Sequence, residues 1–366
     1  MPGRKAIYAG LMSGTSLDGV DAVLADLSGP RPAILATAHR PFDNGLRNAL
    51  ARLVQPGSDE IDRAGAMSNA LAREYAAAVT ALLLQTGIPA RDVQAVGCHG
   101  QTIRHRPERG YTVQIGNAAL LAELAGITVV ADFRSRDLAA GGQGAPLVPA
   151  FHAAVFADPG ETRAVLNLGG ISNLTYLPAA GTVSGFDSGP GNCLLDAWAE
   201  LHLGTRFDAG GDWAASGTED RALLARLLDI SYFGKRPPKS TGRELFNIDW
   251  VRENFKGGES AADVQATLLA LTAHSVADAL ARWCQGTKRL IVCGGGASNA
   301  RLVSRITQEV RPTVVEPTTA HGLDPMHVEA LAFAWLAQAA IEGRTGNLPG
   351  VTGARGARVL GAIYPR

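Results

Sequence analysis

The sequence begins each of its halves in the same way, with two short apolar segments separated by a polar, glycine-rich turn. The paired segments are 5–11 with 20–27, and 163–168 with 173–177. Apolar runs of β-forming residues around Gly and Ser predict two strands joined by a turn. After each pair, predicted strands alternate with predicted helices, which is typical of an α/β layered fold. We therefore expect two similar α/β domains that face each other across a cleft.

The remaining elements follow from apolar periodicity and from helix start and stop signals. Helices are predicted at about 59–86, 117–125, 192–202, 218–229, 241–255, 260–285, 299–310 and 328–342. Further strands are predicted at 33–39, 92–98, 111–115, 127–133, 182–187, 289–293 and 313–316.

Composition excludes several classes of protein. Hydrophobic residues make up 46% of the 366 residues and charged residues 19%, so the chain can bury large cores and is not disordered as a whole. The 34 basic residues balance the 34 acidic ones, without the basic excess typical of a nucleic-acid binder. The four Cys show no C-x-x-C spacing, which favours reduced thiols in the cytosol. The longest uncharged stretch, 164–186, contains Asn, Pro and four Gly and does not predict a membrane span.

Glycine is unusually frequent, with 43 residues, and the first glycine-rich turn shows one use for it. In the segment 13–19, Gly14 would let backbone N–H groups approach a phosphate, and the hydroxyl groups would add donors. Asp18 could hold Mg²⁺, directly or through water. The segment lacks the G-K-[ST] ending of a Walker A loop, and an ordinary hairpin turn is an equally good interpretation.

Two later turns repeat this composition. The turn that contains Gly169 and Gly170 could bind phosphate from a second side. The run Gly294–Gly296 lies between a predicted strand and a helix, where helix N–H groups and bare backbone could contact a nucleotide. The alternative for the third turn is a dinucleotide-binding fingerprint. That alternative is weakened because Asn299 stands where the last Gly of G-x-G-x-x-G belongs.

Three polar residues near predicted strand ends could act on a substrate. Asp187 ends a predicted strand before a helix and could be a general base, or only a turn or cap residue. His99 and Gln101 follow another strand, and we interpret them as polar cleft residues, with a structural role as the alternative. A metal site at His99 and His105 is unfavourable because no carboxylate or third His has suitable spacing.

Arg134 follows the predicted strand at 127–133 and suits an anionic substrate, because its planar guanidinium grips carboxylate or phosphate. It could instead pair with Asp132 or Asp137. The sequence contains neither G-x-S-x-G nor H-E-x-x-H, which argues against the hydrolases that carry those motifs.

Taken together, these motifs resemble the anhydro-N-acetylmuramic acid kinase family, within the superfamily of sugar kinases, actin and heat-shock ATPases. The resemblance covers nearly the whole chain in the same order. The matching stretches are GLMSGTSLDGVDAVL (10–24), GCHGQTIRHRP (97–107), QIGN (114–117), ADFRSRDLAAGGQGAPLVPAFH (131–152), NLGGISNLT (167–175), GFDSGPGN (185–192), PPKSTGRELFN (237–247) and CGGGASN (293–299). Ser188 is one departure, since Thr is expected more often there.

This resemblance implies two ribonuclease H-like, actin-like ATPase domains. We expect the first at 1–140 on the substrate side and the second at 141–320 on the nucleotide side, with 321–366 crossing back to the first. The implied activity is an ATP-dependent kinase of cell-wall recycling. It opens 1,6-anhydro-N-acetylmuramic acid with water and phosphorylates the 6-oxygen, giving N-acetylmuramic acid 6-phosphate. A cytoplasmic homodimer without nucleic-acid or membrane partners is expected.

The resemblance also assigns residues. Asp187 corresponds to the family's catalytic aspartate, and Asp18 is the candidate ligand of Mg²⁺. The residues expected to bind ATP are Gly14, Thr15, Ser16, Asp18, Gly19, Asn167, Gly169, Gly170, Ser172, Gly294, Gly295, Gly296 and Asn299. The residues expected to bind the sugar are His99, Gln101, Arg134 and Glu329. The alternatives are another small-molecule kinase or a non-kinase ATPase of the same superfamily, and, from another class, a nicotinamide-dependent dehydrogenase.

Overall fold

The chain forms two compact units in the computed structural model, which describes residues 6–14 and 16–366. Unit 1 extends as far as Val155 and includes the returning segment His327–Arg366. Unit 2 is the continuous segment Phe156–Met326. The chain therefore enters unit 2 once and then returns to complete unit 1.

From the sequence, the first domain was expected to end at residue 140 and the second at residue 320. Unit 1 extends further because the helix after residue 140 packs against the returning segment. Phe151 of that helix contacts Trp335, with ring centroids 6.2 Å apart.

Thirteen strands and fourteen helices are described, joined by short 3₁₀ turns. The strands are β1 Ile7–Met12, β2 Gly19–Asp26, β3 Ala33–Pro41, β4 Val93–Cys98, β5 Gln101–Arg106, β6 Tyr111–Ile115, β7 Val129–Ala131, β8 Arg163–Leu168, β9 Ile171–Leu177, β10 Ser184–Pro190, β11 Arg289–Cys293, β12 Val314–Pro317 and β13 Ala362–Tyr364. The helices are α1 Asn44–Val54, α2 Glu60–Thr86, α3 Ala118–Ala125, α4 Ser135–Ala139, α5 Val148–Phe156, α6 Cys193–Leu203, α7 Asp212–Ser216, α8 Arg221–Leu228, α9 Ser231–Gly234, α10 Ile248–Glu253, α11 Ala261–Trp283, α12 Ala300–Glu309, α13 Val328–Ile341 and α14 Pro349–Thr352.

The main sheets of the two units share one strand order. In unit 1 the order is β3-β2-β1-β4-β7, with β13 added beside β7, and in unit 2 it is β10-β9-β8-β11-β12. The first two pairings in each sheet are antiparallel and the next two are parallel. The predicted α/β fold is confirmed. Each of the first two glycine-rich turns joins the first two strands of its unit, β1 to β2 and β8 to β9.

Helix α13 lies directly on the backbone of the first sheet. Gly10 of β1 and Gly97 of β4 are paired neighbours in adjacent parallel strands. A Cβ atom added at either glycine would collide with the backbone of α13, at Ala330 or Phe333 respectively. The close contact therefore depends on the missing side chains at Gly10 and Gly97. It places the first turn of α13 near the ends of β1 and β4.

Helix α11 forms the core of unit 2. Leu268, Leu271 and Val276 on this helix are fully buried, and Ser260 caps its first turn by accepting the Asp263 N–H at 3.1 Å. The helix is long and apolar enough to cross a membrane, but 72% of its most apolar window is buried inside the protein. Within the described residues it is the one helix of this kind, and its burial is that of a core helix.

The strand predicted at 127–133 is shorter in the structure, and this prediction is wrong at its end. β7 stops at Ala131 because Asp132 adopts a φ of 55°, which breaks the extended backbone. The Asp132 carboxylate then accepts the Ser135 hydroxyl at 2.6 Å, and α4 begins. Helix α1 was not predicted from the sequence, although Asp43 caps it by accepting the Leu46 N–H.

Candidate functional site

Asp187 lies at a bulge in β10 and is held by backbone contacts on both sides. Its N–H donates to the Lys239 carbonyl at 3.1 Å, and its carbonyl accepts the Tyr232 hydroxyl at 2.8 Å. One carboxylate oxygen, Oδ2, accepts the Thr241 N–H at 2.9 Å. The bulge adds Ser188 between Asp187 and the next paired residue. The position and orientation of the carboxylate are therefore fixed by the fold.

The environment of Asp187 changes its acidity. The pKa of its carboxyl group is raised from 3.8 to about 7, mainly by burial and with a smaller contribution from the charge of Glu244. The Thr241 N–H and the Lys239 ammonium act in the opposite direction. A carboxyl group with a pKa near 7 can accept or release a proton at neutral pH, as a general base must.

The segment 239–244 supplies most of the groups around Asp187. No role was predicted for this segment from its individual residues. Residues 241–255 were predicted as a helix, and this prediction is wrong for the first part. The backbone groups of Lys239 and Thr241 bond to Asp187, so they are not available to a helix. Helix α10 begins only after Asn247, whose side chain accepts the Trp250 N–H at 2.9 Å. The one sequence signal that this segment has a role was the PPKSTGRELFN stretch at 237–247, which matches the family.

The turn between β8 and β9 is joined to the start of α6. The carbonyl of Gly169 accepts the Asn192 N–H at 2.8 Å, and that of Gly170 accepts the Cys193 N–H at 3.0 Å. The structure thus brings together two sequence motifs that were predicted separately. A Cβ atom added to either glycine would meet nothing nearer than 3.5 Å. Packing therefore does not require glycine there, and a ligand could approach the turn from its open side.

Ser172 was expected to contact phosphate through its hydroxyl group. In the structure Ser172 is fully buried, and its Oγ lies 2.7 Å from the Ser188 Oγ. The same hydroxyl is within bonding distance of the carbonyls of Gly189 and Pro190. It supports the bulge beside Asp187 and is directed into the protein.

The third glycine run contains one glycine beside open space and two in crowded positions. Gly294 has a φ of 82°, a conformation that strains other residues, and a Cβ atom there would lie 2.8 Å from the Leu168 carbonyl oxygen. A Cβ atom at Gly296 would lie 2.7 Å from the Leu168 side chain. Gly295 has only a side-chain methyl group near it, at 4.0 Å. Gly295 is therefore the member of this run that a ligand could approach most closely.

Two asparagines flank these turns. Asn299 caps α12, because its Oδ1 accepts the Leu302 N–H at 3.0 Å. Asn167 is buried near the end of β8, where it pairs with Asn173 of β9 and with Cys293 of β11. Both lie next to the glycine turns of unit 2, as predicted from the sequence.

In unit 1, the first glycine-rich turn presents a hydroxyl and a carboxylate to solvent. Ser16 and Asp18 are exposed, and the Ser16 hydroxyl donates to Asp18 Oδ1 at 2.8 Å. A Cβ atom at Gly14 would make only ordinary contact with Ser16, at 3.5 Å, whereas a Cβ atom at Gly19 would collide with the backbone of β3. Gly19 is thus required by strand pairing. Thr15, predicted to contact phosphate, lies outside the described residues.

His99 and Arg134 form a hydrogen-bonded pair in unit 1. The guanidinium of Arg134 contacts His99 Nε2 at 2.8 and 3.2 Å, and its Nη1 donates to the Gly144 carbonyl at 2.7 Å. Burial and the charge of Arg134 lower the pKa of His99 to about 3, so the imidazole is neutral at pH 7 and accepts through Nε2. The alternative from the sequence was an ion pair of Arg134 with Asp132 or Asp137, but both carboxylates accept hydrogen bonds from other groups. Arg134 is therefore oriented by neutral groups.

Glu329 and Gln101 lie next to this pair. Burial lowers the pKa of Arg134 to about 10, and the charges of Glu329 and Asp137 oppose that effect. Glu329 is one turn before Phe333 on α13, and Phe333 packs on the His99 ring with centroids 4.8 Å apart. The fully buried Gln101 donates to the Gly14 carbonyl at 3.0 Å, which links this cluster to the first glycine turn.

A divalent cation would find one suitable carboxylate here rather than a complete cage. Among the described residues, no three His, Cys, Asp or Glu side chains form a metal-binding group. Mg²⁺ is usually held by one or two carboxylates together with substrate phosphates. The exposed Asp18, beside a turn with room for phosphate, fits that pattern.

Comparisons with known proteins find relatives that match nearly the whole chain. A family model described as anhydro-N-acetylmuramic acid kinase matches residues 6–366. The anhydro-N-acetylmuramic acid kinase of Nitrosomonas europaea is 53% identical over 360 residues, which cover 98% of this chain and 99% of that protein. The protein of the same name from Cupriavidus pinatubonensis is 56% identical over 368 residues and covers 98% of each.

Among solved structures, component A of the (R)-2-hydroxyglutaryl-CoA dehydratase of Acidaminococcus fermentans aligns with 90% of this chain and 96% of its own. The two are 12% identical, with a TM-score of 0.49. This likeness is too low to support an argument. The family assignment depends on the sequence matches.

Proposed function

The chain belongs to the anhydro-N-acetylmuramic acid kinase family, and from this premise we propose that Asp187 activates the water that opens the substrate. The chain is an ATP-dependent kinase that converts 1,6-anhydro-N-acetylmuramic acid to N-acetylmuramic acid 6-phosphate. The observation that supports the role of Asp187 is its geometry. Oδ2 is held by the Thr241 N–H while burial raises the pKa to about 7. We assign proton acceptance to the other oxygen, Oδ1.

The reaction then balances with Asp187 as its base. Water loses a proton to Asp187, and its oxygen bonds to the anomeric carbon as the bond from that carbon to the bridging oxygen breaks. The bridging oxygen bonds to the γ-phosphorus of ATP, and ADP leaves. Attack opposite the departing oxygen inverts the anomeric carbon, as in inverting glycosidases. No separate acid is required, because phosphoryl transfer takes up the charge on the departing oxygen.

We propose that the open glycine turns hold ATP. Gly169, Gly170 and Gly295 have space beside them in unit 2, and Gly14 has space beside it in unit 1. Backbone N–H groups at such turns can approach phosphate oxygens without obstruction by a side chain. Asn167 and Asn299 would support these turns from within unit 2, and the backbone N–H of Ser16 would add a donor in unit 1.

Asp18 is the proposed carboxylate ligand of Mg²⁺. One of its oxygens accepts the Ser16 hydroxyl, so the other can face the ion. The ion would neutralise charge on the transferred phosphoryl group. The described residues form no group of three or more metal ligands, which fits an ion shared with the nucleotide.

On the sugar side, we propose that Arg134 binds the lactyl carboxylate of the substrate. Its guanidinium is already oriented by His99 and by the Gly144 carbonyl, which leaves N–H groups for a ligand. A guanidinium binds a carboxylate through a charge-assisted, often bidentate contact. Glu329 and Gln101 are the remaining proposed contacts to the sugar.

The rate should depend on pH through Asp187. Because the base must be ionised and its pKa is about 7, kcat/KM should fall about tenfold per pH unit below 7 and reach a plateau above about pH 8. Glu244→Gln should move this acid limb to lower pH, since the negative charge of Glu244 raises the pKa of Asp187. Measurement of kcat/KM from pH 5 to pH 9 tests both statements.

The matched control for this pH profile is Glu253→Gln, which removes an exposed carboxylate of the nearby α10. Its profile should coincide with that of the unchanged protein. An acid limb that stays in place in Glu244→Gln, or one centred near pH 4, would contradict the proposed environment of Asp187.

Membership of this family excludes two of the alternative functions, the nicotinamide-dependent dehydrogenase and the non-kinase ATPase. We further propose that both units have the ribonuclease H-like topology of actin-like ATPases, supported by their shared strand order. The homodimer, the cytosolic location and the lack of nucleic-acid or membrane partners stay predictions from the sequence.

A further inference from the structure

Asp137 is a fully buried carboxylate that the proposed reaction does not use. Its Oδ2 accepts the Gly144 N–H at 2.8 Å. Its Oδ1 accepts the Asn347 amide at 2.6 Å and the Thr352 hydroxyl at 2.7 Å. Asn347 and Thr352 lie more than 200 residues further along the chain, so this side chain joins α4 to the returning segment of unit 1.

The returning segment follows the loop 140–144 closely. The Gln143 N–H donates to the Thr352 carbonyl at 2.8 Å, and the Arg355 N–H donates to the Ala140 carbonyl at 2.9 Å. Gly142 lies between the two, where an added Cβ atom would be 3.0 Å from the side chain of Ala354 and would collide with the Asp137 carboxylate. The path of the loop is thus set from both sides.

This loop ends at the residue that orients Arg134. The carbonyl of Gly144 accepts Nη1 of Arg134 at 2.7 Å, while the N–H of Gly144 donates to Asp137. A continuous series of hydrogen bonds therefore runs from Thr352 and Asn347, through Asp137 and Gly144, to the guanidinium. A shift in the returning segment would move the acceptor that fixes one side of that guanidinium.

We propose that Asp137, held by Thr352 and Asn347, is a positioning residue that sets the preference of Arg134 for a substrate with a carboxylate. This inference rests on the proposed function, in which Arg134 binds the lactyl carboxylate. Bidentate recognition depends on the orientation of the planar guanidinium, and a misplacement of about 1 Å can cost on the order of 10²-fold. A carboxylate with three hydrogen bonds in a dry interior is a rigid support, because losing one partner leaves a buried polar group unsatisfied.

The test compares two ligands in the presence of a non-hydrolysable ATP analogue. One is 1,6-anhydro-N-acetylmuramic acid, and the other is its uncharged methyl ester. Equilibrium binding gives the ratio of their affinities, which we expect to favour the acid on the order of 10²-fold in the unchanged protein. Thr352→Val keeps the shape of the side chain and removes its hydroxyl, and Asp137→Asn removes the charge. Each should reduce the ratio about tenfold and leave the affinity for the ATP analogue unchanged.

The matched control is Thr307→Val, because that hydroxyl donates to the Val303 carbonyl of its own helix in unit 2. Its ratio should be that of the unchanged protein. If Asp137→Asn does not fold, Thr352→Val alone decides the result. A merely structural role predicts an equal loss of affinity for the acid and the ester, with the ratio preserved, and that result overturns the inference.

Arg134→Lys separates this inference from the proposed function. If Arg134→Lys loses the preference for the acid over the ester but Thr352→Val keeps it, the positioning role of Asp137 is refuted. The role of Arg134 in carboxylate binding is then intact. Retention of the ratio in both variants refutes carboxylate binding by Arg134, and the positioning role fails with it.

Discussion

Replacing Asp187 with Asn should lower the turnover of 1,6-anhydro-N-acetylmuramic acid by about 10³-fold or more and leave ATP binding nearly unchanged. Asn has the same shape as Asp, and its amide oxygen can still accept the Thr241 N–H that now bonds to Oδ2. It cannot take a proton from water at neutral pH, so only the base is lost. Steady-state release of ADP in the presence of the sugar measures the first quantity. Calorimetric titration with an ATP analogue measures the second.

Thermal unfolding of the same variant excludes misfolding as the cause. The pKa of Asp187 is raised from 3.8 to about 7, so the stability that its neutral form contributes is present below pH 4 and lost as the pH rises through 7. Asn stays neutral, and the variant should unfold at a higher temperature than the unchanged protein at pH 8. Asp249→Asn, an exposed carboxylate in α10, serves as the control for both measurements. Turnover of Asp187→Asn within a factor of ten of the unchanged protein would reject Asp187 as the base.

Replacing Arg134 with Met should reduce kcat/KM for the sugar by about 10²–10³-fold, with little change in KM for ATP. Removal of one member of a buried, charged hydrogen-bonded pair costs about 2–5 kcal/mol. Met fills much of the same volume and leaves the substrate carboxylate without its partner. His99 and the Gly144 carbonyl also lose the donor that they bind.

Arg136→Met is the matched control, since Arg136 lies two residues further along, at the start of the same short helix, and is exposed. It should retain normal kinetics for both substrates. The Arg134 assignment fails if Arg134→Met raises KM for ATP as much as KM for the sugar, or if both variants behave alike.

Local sequence patterns predicted the elements that carry the site. The strands that end near His99 and Asn167 are apolar runs bounded by polar turns, so their periodicity was sufficient. The long helices α2 and α11 were predicted within two residues of their observed ends, because an αL glycine ends the first and a Ser cap begins the second. The sequence placed His99 and Arg134 together in the expected sugar site, but it did not predict a hydrogen bond between them.

Long-range contacts could not be predicted in this way. The strand β13 pairs with β7 from the far end of the chain, and its three residues carry no pattern that distinguishes them from a loop. The 239–244 segment has the composition of a helix start, but its backbone is committed to Asp187. The role of Asp137 depends on Asn347 and Thr352, and no local rule connects residues at that separation.

The return of the chain to unit 1 has a consequence for protein synthesis. The central strands β1 and β4 are made first, yet the surface at Gly10 and Gly97 is covered only when α13 has left the ribosome. Unit 2 is continuous and can complete its core earlier, so the order of folding should be reversed from the usual N-terminal-first sequence. On ribosomes stalled at a point where unit 2 has emerged and α13 is still inside the exit tunnel, a short pulse of protease should spare unit 2 and cut unit 1. Resistance of unit 1 at that point would show that it folds without α13.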